Sequence, residues 1–302
     1  MATARIAVIG AGLMGHGIAQ VFALAGHDVI IYDTVATSLD SAKARILSNL
    51  KDLGDDQRAV DRVTPVADLA LAVREADYVV EAVLEDLSLK QKLFAEIEKY
   101  VQPEAILASN TSVIPITKIM EVLKHRERAL GTHWWNPPYL LPLVEVIETR
   151  WTNPQAIDFT MKLHAAAGKQ PAHVKKDVPG FIGNRLQHAL WREAVALVEH
   201  GICDAETIDN VIKSAFGRRL AVLGPLENAD MVGTDLTLAI HKTVLPDIDG
   251  RPRPSPYLEK LVKDKKLGFK TGEGFRKWSP EQQVALRSKV LQHLKNARVQ
   301  DA

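Results

Sequence analysis

His133 and Glu145 stand six residues either side of Tyr139 in the stretch Gly131-Thr-His-Trp-Trp-Asn-Pro-Pro-Tyr-Leu-Leu-Pro-Leu-Val-Glu-Val-Ile147. Two apolar runs, Arg128 to Trp134 and Leu143 to Ile147, flank a bend of Asn136-Pro137-Pro138 and Pro142, where proline excludes ladder pairing. A chain that folds back about Tyr139 makes His133 and Glu145 cross-strand neighbours. A buried carboxylate on one imidazole nitrogen selects the tautomer and leaves the other nitrogen as a general base.

The start of the chain carries a second pattern with chemical meaning. Arg5 to Ile9 is a short apolar strand, followed by Gly10-Ala11-Gly12-Leu13-Met14-Gly15 and a helical run, Ile18 to Leu24, closed by Gly26. In a strand, glycine turn and helix of this spacing, the first glycine permits the tight turn. The second lets backbone approach a pyrophosphate, and the third lets helix pack on strand. The helix N-terminus favours the phosphate charge. The next strand, Asp28 to Tyr32, ends in Asp33, eighteen residues beyond Gly15, where a carboxylate suits ribose hydroxyls and repels a 2′-phosphate. Thr34-Val35-Ala36 holds no arginine for such a phosphate, so the pattern favours NAD over NADP. The competing reading of Asp33 is a cap on a helix from about Thr37 to Leu53.

Further strands at Arg62 to Val66, Asp77 to Val83 and Ala105 to Ser109 alternate with helices, which argues a doubly wound Rossmann sheet, mostly parallel, in an α/β domain. Ligands sit at the carboxyl ends of such strands. Glu85 and Lys90 follow the Asp77 to Val83 strand and are candidate cofactor contacts, or else solvated charges on the helix Ser88 to Tyr100. Ser112 lies in the loop before a helix containing Ile116 to Met120 and faces the same crevice, or caps that helix. A helix from Asn153 to Ala167 and a strand from Pro171 to Lys175 complete a domain over 1–179. From Phe181 the pattern is helical: Leu186, Leu190, Ala194, Leu197 and Val198 make one apolar face, and Asn184, opening that helix, points to the crevice or caps it. Asp204 to Ser214, Gly224 to Ile240, Ser255 to Lys266 and Gln282 to Leu294 make 180–302 an all-helical substrate and dimerisation domain, suited to a homodimer. Arg218-Arg219 offers a guanidinium fork for a carboxylate, or is a solvated face.

The composition agrees with two folded domains: 302 residues, 46% of them apolar. A net charge of +1 gives no global field for nucleic acid or an anionic membrane, so neither is expected as a partner. Cys203 is the only cysteine, which excludes an intrachain disulfide and a cysteine-rich metal site; no metal is expected. No uninterrupted apolar run reaches ~18 residues, and strand-like sequence from Ala4 leaves no room for a signal peptide, so a cytoplasmic protein is expected.

Gly10-Ala-Gly-Leu-Met-Gly15, Val80-Glu-Ala-Val83, Ser109-Asn-Thr-Ser112, His133-Trp-Trp-Asn136-Pro and Leu143-Val-Glu-Val146 together resemble the 3-hydroxyacyl-CoA dehydrogenase superfamily. Val178-Pro-Gly-Phe-Ile-Gly-Asn184-Arg and Lys270-Thr-Gly-Glu-Gly274-Phe extend the resemblance over nearly the whole chain. It implies reversible hydride transfer between NAD and the 3-hydroxy or 3-oxo group of a small molecule. His133 would be the base and Glu145 its orienter. Ser112 and Asn184 would bond the reacting oxygen or its neighbour, and Asn136 would help position the nicotinamide. Glu85, Lys90, Ser112 and Lys270 would join Gly10, Gly12, Leu13, Met14, Gly15 and Asp33 around the cofactor.

The resemblance leaves the substrate open between a 3-hydroxyacyl-CoA and a small free 3-hydroxy acid. Members that use coenzyme A carry a longer, lysine-rich helical hairpin after the ribose aspartate. Here only Thr34 to Tyr78 intervenes, with a short acidic turn at Gly54-Asp-Asp56. Trp134-Trp135 and Asn136 to Pro142 are closer to members acting on free acids: the gulonate dehydrogenase and lambda-crystallin group, carnitine dehydrogenase, and a pyridine-carboxylate dehydrogenase of vitamin B6 breakdown. The alternatives are a non-catalytic, crystallin-like NAD-binding protein and a dehydrogenase of a hydroxylated pyridine carboxylate.

Overall fold

The computed structural model describes residues 3–300. Its contacts divide the chain into two units, Met1–Arg185 with Gln292–Ala302, and Leu186–Leu291. The first contains β1 (Arg5–Ile9), α1 (Leu13–Leu24), β2 (Asp28–Tyr32), α2 (Ala36–Leu53), β3 (Val63–Val66), α3 (Leu69–Val73), β4 (Tyr78–Glu81) and α4 (Leu87–Ile97). It continues with β5 (Ile106–Ser109), α5 (Ile116–Met120), β6 (Ala129–Trp134), β7 (Leu143–Glu148), α6 (Pro154–Ala166) and β8 (Gln170–Val174). The strands form one sheet in the order β3-β2-β1-β4-β5-β6-β7-β8. Every neighbouring pair is parallel except β6 and β7, which run antiparallel. The winding direction reverses between β1 and β4, the place where open α/β sheets bind ligands.

Helices cover both faces of the sheet, which is why its central strands read as unbroken apolar runs. One core joins Ile18, Phe22, Ile46, Leu50, Tyr78, Trp134 and Leu163; the other joins Ile9, Phe94, Ile97, Leu107, Ile116, Ile147 and Phe181. Side chains alternate along β6, so Trp134 enters the first core while His133 faces the second side. Phe22 is the centre of the first: its ring lies 5.6 Å from Trp134, 5.6 Å from His164 and 6.0 Å from Tyr78. Asp68, Asp86 and Asn153 cap α3, α4 and α6 through their side chains.

In the second unit the helices are the remainder of α7 (Gly183–Glu199), then α8 (Ala205–Ser214), α9 (Pro225–Val232), α10 (Thr234–Val244), α11 (Pro256–Lys263) and the start of α12 (Pro280–Gln300). The helix expected over Gly224 to Ile240 is broken at Gly233, whose φ of 101° no helix accepts. Arg251 ties the unit together, reaching Glu199 at 2.6 Å and Asp249 at 2.8 Å. The last turns of α12 belong to the first unit. Arg298 bonds both oxygens of Asp55, at 2.9 and 3.0 Å, and Lys295 reaches the carbonyl of Asp52 at 3.2 Å. The acidic turn after α2 is therefore occupied by the chain's own C-terminal helix. Among the described residues no helix is long and apolar enough to cross a membrane.

His164 is fully buried beside Phe22, its Nδ1–H donating to the Thr160 carbonyl at 2.8 Å and its Nε2 without a partner. Burial, aided by the charge of Lys169, lowers its pKa to about 4. The unfolded chain therefore takes up a proton near pH 6.5 that the folded chain refuses until about 4. Stability is expected to fall as pH drops through that window, and His164→Phe is expected to flatten the slope; urea midpoints for both proteins across pH 4 to 7 check this, and equal slopes would refute it.

Candidate active site

The β6–β7 register sets His133 opposite Glu145. Their side chains meet, His133 Nδ1 lying 2.7 Å from Glu145 Oε2, and both residues are buried. The second carboxylate oxygen accepts the backbone N–H groups of Ile182, at 2.8 Å, and Gly183, at 3.0 Å, where α7 begins. Burial pushes the Glu145 carboxyl up, but the His133 bond and the two amides outweigh it and hold the pKa below the usual range. An ionised Glu145 keeps the proton on Nδ1 and leaves the Nε2 lone pair of His133 as a proton acceptor.

The turn that delivers those amides is unusual. Phe181 adopts φ 48°, a left-handed conformation that costs a side-chain-bearing residue about 1–2 kcal/mol. Its ring is buried 5.6 Å from His133, which offsets that cost. The Trp135 ring also lies near, 5.4 Å from His133. A Cβ at Gly183 would come within 2.5 Å of that ring, so only glycine lets α7 start where Trp135 sits. The tryptophan pair thus divides: Trp134 packs in the core, and Trp135 flanks the imidazole.

The loop after β5 is held from below by buried charge. Lys90 Nζ lies 2.6 Å from Glu81 and 3.4 Å from Glu85, and Ser109 donates to Glu81 at 2.6 Å. Glu85 in turn accepts Thr111 Oγ1 at 2.6 Å and the amides of Ser112 and Val113 at 2.9 and 3.2 Å. Lys90, singled out above as a cofactor contact, is itself fully buried in this network because it neutralises the buried Glu81. Asn184 Nδ2 donates to the Ser112 carbonyl at 3.0 Å, and Asn110 accepts the Trp134 amide at 2.9 Å. Ser112, His133, Glu145 and Asn184 are thereby brought to one place in the first unit. Asn136 is exposed on the bend after β6. That bend is held by Lys169, whose ammonium donates to the carbonyls of Pro138 and Leu141; burial, then the charge of Arg298, lowers its pKa to about 8. Lys270 lies in the second unit, exposed on the turn between Gly268 and Glu273.

At the reversal of the sheet the glycine loop has the shape of a cradle. A Cβ on Gly10 would meet the Ala82 carbonyl at 2.6 Å and one on Gly15 the Gly10 carbonyl at 1.7 Å, whereas one on Gly12 would meet nothing within 4 Å. Asp33 accepts the amides of Ala11, at 2.7 Å, and Val35, at 2.8 Å; it is not a cap on α2, which has no side-chain cap. Leu13, Val35, Leu84 and Val113 stand exposed just beyond β1, β2, β4 and β5. These residues fit a dinucleotide: open amides for its phosphates, a carboxylate for a ribose, and apolar walls for its rings. Val35, Leu84, Val113, Lys169 and the amides of Ile182 and Gly183 escape a reading of the sequence. An apolar residue after a strand looks like more strand, and backbone amides carry no residue type.

Comparison with known proteins agrees with this geometry. Residues 5–178 match the NAD binding domain of 3-hydroxyacyl-CoA dehydrogenase and residues 180–278 its C-terminal domain. The chain belongs to the 3-hydroxyacyl-CoA dehydrogenase family. It is 36% identical to the 5-formyl-3-hydroxy-2-methylpyridine 4-carboxylate 5-dehydrogenase of Mesorhizobium japonicum, over 96% of each chain. It is 37% identical to the human mitochondrial hydroxyacyl-coenzyme A dehydrogenase, over 91% of each. Among solved structures, a 5-formyl-3-hydroxy-2-methylpyridine 4-carboxylic acid 5-dehydrogenase, described as an NAD+-dependent dismutase, superposes with a TM-score of 0.91 at 35% identity, covering 98% of this chain and 97% of that one. A (S)-3-hydroxybutyryl-CoA dehydrogenase from Ralstonia eutropha gives 0.78 at 32% identity, covering 92% and 100%. The protein is an NAD-dependent oxidoreductase of this dehydrogenase family with a buried His–Glu pair.

The buried His133–Glu145 pair can be tested by removing each member. His133→Ala is expected to lose on the order of 10²- to 10⁴-fold in turnover, and Glu145→Gln, which keeps shape but not charge, about 10²-fold, both with NADH binding retained. Steady-state rates beside NADH titrations check this; full turnover in either variant would remove that residue from the chemistry.

Proposed function

We propose that this dehydrogenase oxidises a compact, planar, carboxylate-bearing molecule, a hydroxylated or formylated pyridine carboxylate, in preference to a coenzyme A thioester. The observation that carries the reading is the half-buried Trp135 ring, centred 5.4 Å from the His133 imidazole, because an indole beside the base suits a flat aromatic substrate. Sequence identity does not separate the pyridine-carboxylate relative from the human one, at 36% and 37%. Among solved structures, the TM-score of 0.91 to the pyridine-carboxylate dehydrogenase against 0.78 to the Ralstonia eutropha (S)-3-hydroxybutyryl-CoA dehydrogenase supports the pyridine reading. The pairing of Asp55 with Arg298 also leaves an acidic, self-occupied turn where an anionic nucleotide tail would want free cations.

NAD, when bound, supplies the hydride acceptor. His133 Nε2 takes the proton of the substrate hydroxyl, and Glu145 stabilises the imidazolium so formed. A formyl group enters this chemistry as its hydrate, whose carbon carries both a hydrogen and a hydroxyl. Ser112 and Asn184 hold the reacting oxygen, and Asn136 helps to seat the nicotinamide. Glu85 acts on the cofactor directly and Lys90 through it; Lys270 is the further cofactor contact that the family resemblance implies. In this reading 1–179 is the NAD-binding domain and 180–302 the substrate and dimerisation domain.

The test is NADH formation with a formylated and a hydroxymethylated pyridine carboxylate, free 3-hydroxybutyrate, gulonate, carnitine and 3-hydroxybutyryl-CoA. The expected result is a kcat/KM for a pyridine carboxylate at least about a hundredfold above the thioester, the scale on which a shaped pocket discriminates. A preference for the thioester would overturn it.

The helical unit exposes Trp191, Val222, Leu226, Met231, Leu236 and Leu238, apolar side chains that gain by being covered. A second copy of the chain is the proposed cover. Sedimentation is expected to give the mass of two chains, and a concentration-independent monomer would refute it.

A further inference from the structure

Arg45, on α2, is outside every role described so far, yet its guanidinium is spent on the glycine loop. Nη2 donates to the carbonyl of Ala11 at 2.6 Å and of Ser38 at 2.8 Å, and Nη1 donates to the carbonyl of Gly12 at 3.3 Å. His16 Nδ1 donates to the same Gly12 oxygen at 2.7 Å and lies 3.1 Å from Nη1. Burial, then the neighbouring guanidinium, pushes the His16 pKa down, so the ring stays neutral and shares that oxygen without a second positive charge. From the other side Asp33 accepts the amide of Ala11 at 2.7 Å.

A trans peptide unit points its N–H opposite to its C=O. With the carbonyls of Ala11 and Gly12 drawn to Arg45, the amides of Gly12 and Leu13 point away from it. A Cβ at Gly12 would meet nothing within 4 Å, so the loop is open there. Amides at the start of a helix lack intrahelical acceptors and favour an anion. The Gly12 carbonyl also accepts the first bond of α1, from the His16 amide at 3.3 Å. The Ala11–Gly12 unit has no such bond and Gly12 makes its rotation inexpensive, so without a clamp the Ala11 carbonyl could turn outward and face the phosphate with like charge. We infer that Arg45 is a positioning residue for the cofactor's pyrophosphate, holding the glycine-loop carbonyls inward so that the loop amides face the phosphates. The same engagement keeps its donors from a 2′-phosphate, in step with Asp33. The inference rests on NAD as cofactor and not on the identity of the substrate, so it stands or falls separately from the pyridine reading.

The experiment compares Arg45→Met and Arg45→Lys with the parent protein, using ADP-ribose, which carries the pyrophosphate, and adenosine, which does not, as competitors of NADH fluorescence, together with KM for NAD and thermal melting. Arg45→Met is expected to weaken ADP-ribose and NAD by roughly 10- to 100-fold, the range for loss of charge-assisted bonds, with adenosine within about twofold and kcat at saturating NAD within about threefold. Arg45→Lys, with fewer donors and no fork, should fall between. Parent-like ADP-ribose binding would show that the loop needs no clamp. Loss of adenosine in the same proportion would show that Arg45 only supports the fold. If Arg45→Met melts below the assay temperature, the same ratio measured on Arg45→Lys decides.

Discussion

The hydrogen bond from His133 to Glu145 is the constraint on which the rest of the site depends. It exists because β6 and β7 pair antiparallel in one register; a slip of one residue would put the two side chains on opposite faces of the sheet. The carboxylate is buried, which alone would favour its neutral form, so it must be supported by donors. The amides of Ile182 and Gly183 supply them, and this draws the start of α7 onto the hairpin. The left-handed Phe181, the glycine at 183 and the placement of Trp135 follow from that one requirement.

The same device recurs around the crevice. Glu85 holds the amides of Ser112 and Val113, Asp33 those of Ala11 and Val35, and Asp177 those of Ile116 and Thr117 at the start of α5. A carboxylate has two oxygens and only accepts, so it can satisfy two amides that a turn or helix start leaves without partners. Arg45 does the converse for carbonyls. Irregular backbone at the strand ends is thus oriented by side-chain charge, and the buried Lys90 balances the acidic residues gathered there.

Beside the His133 imidazole the surroundings are more apolar. The bend after β6 rests on Lys169 through two carbonyls, and the rings of Trp135 and Phe181 border the imidazole. The clasp of Arg298 and Lys295 on the end of α2 makes the C-terminal helix part of the first unit, although residues 186–291 intervene in the chain.

Much of this was legible in the residues themselves. The glycine spacing, the aspartate at the end of β2, the alternation of strands and helices, and the symmetry of His133 and Glu145 about Tyr139 are local patterns, and local backbone geometry obeys them. Gly233 broke a helix that periodicity alone would have continued, because a positive φ leaves no trace in an apolar pattern. The partners of Lys90, the division of the two tryptophans' surroundings, the amides at 182 and 183, the clamp of Arg45 and the return of α12 to Asp55 were decided only by the tertiary structure. Each joins groups that the chain separates or that carry no residue identity, and such pairings are selected by packing and by the need to satisfy buried charge, which no spacing in a sequence encodes.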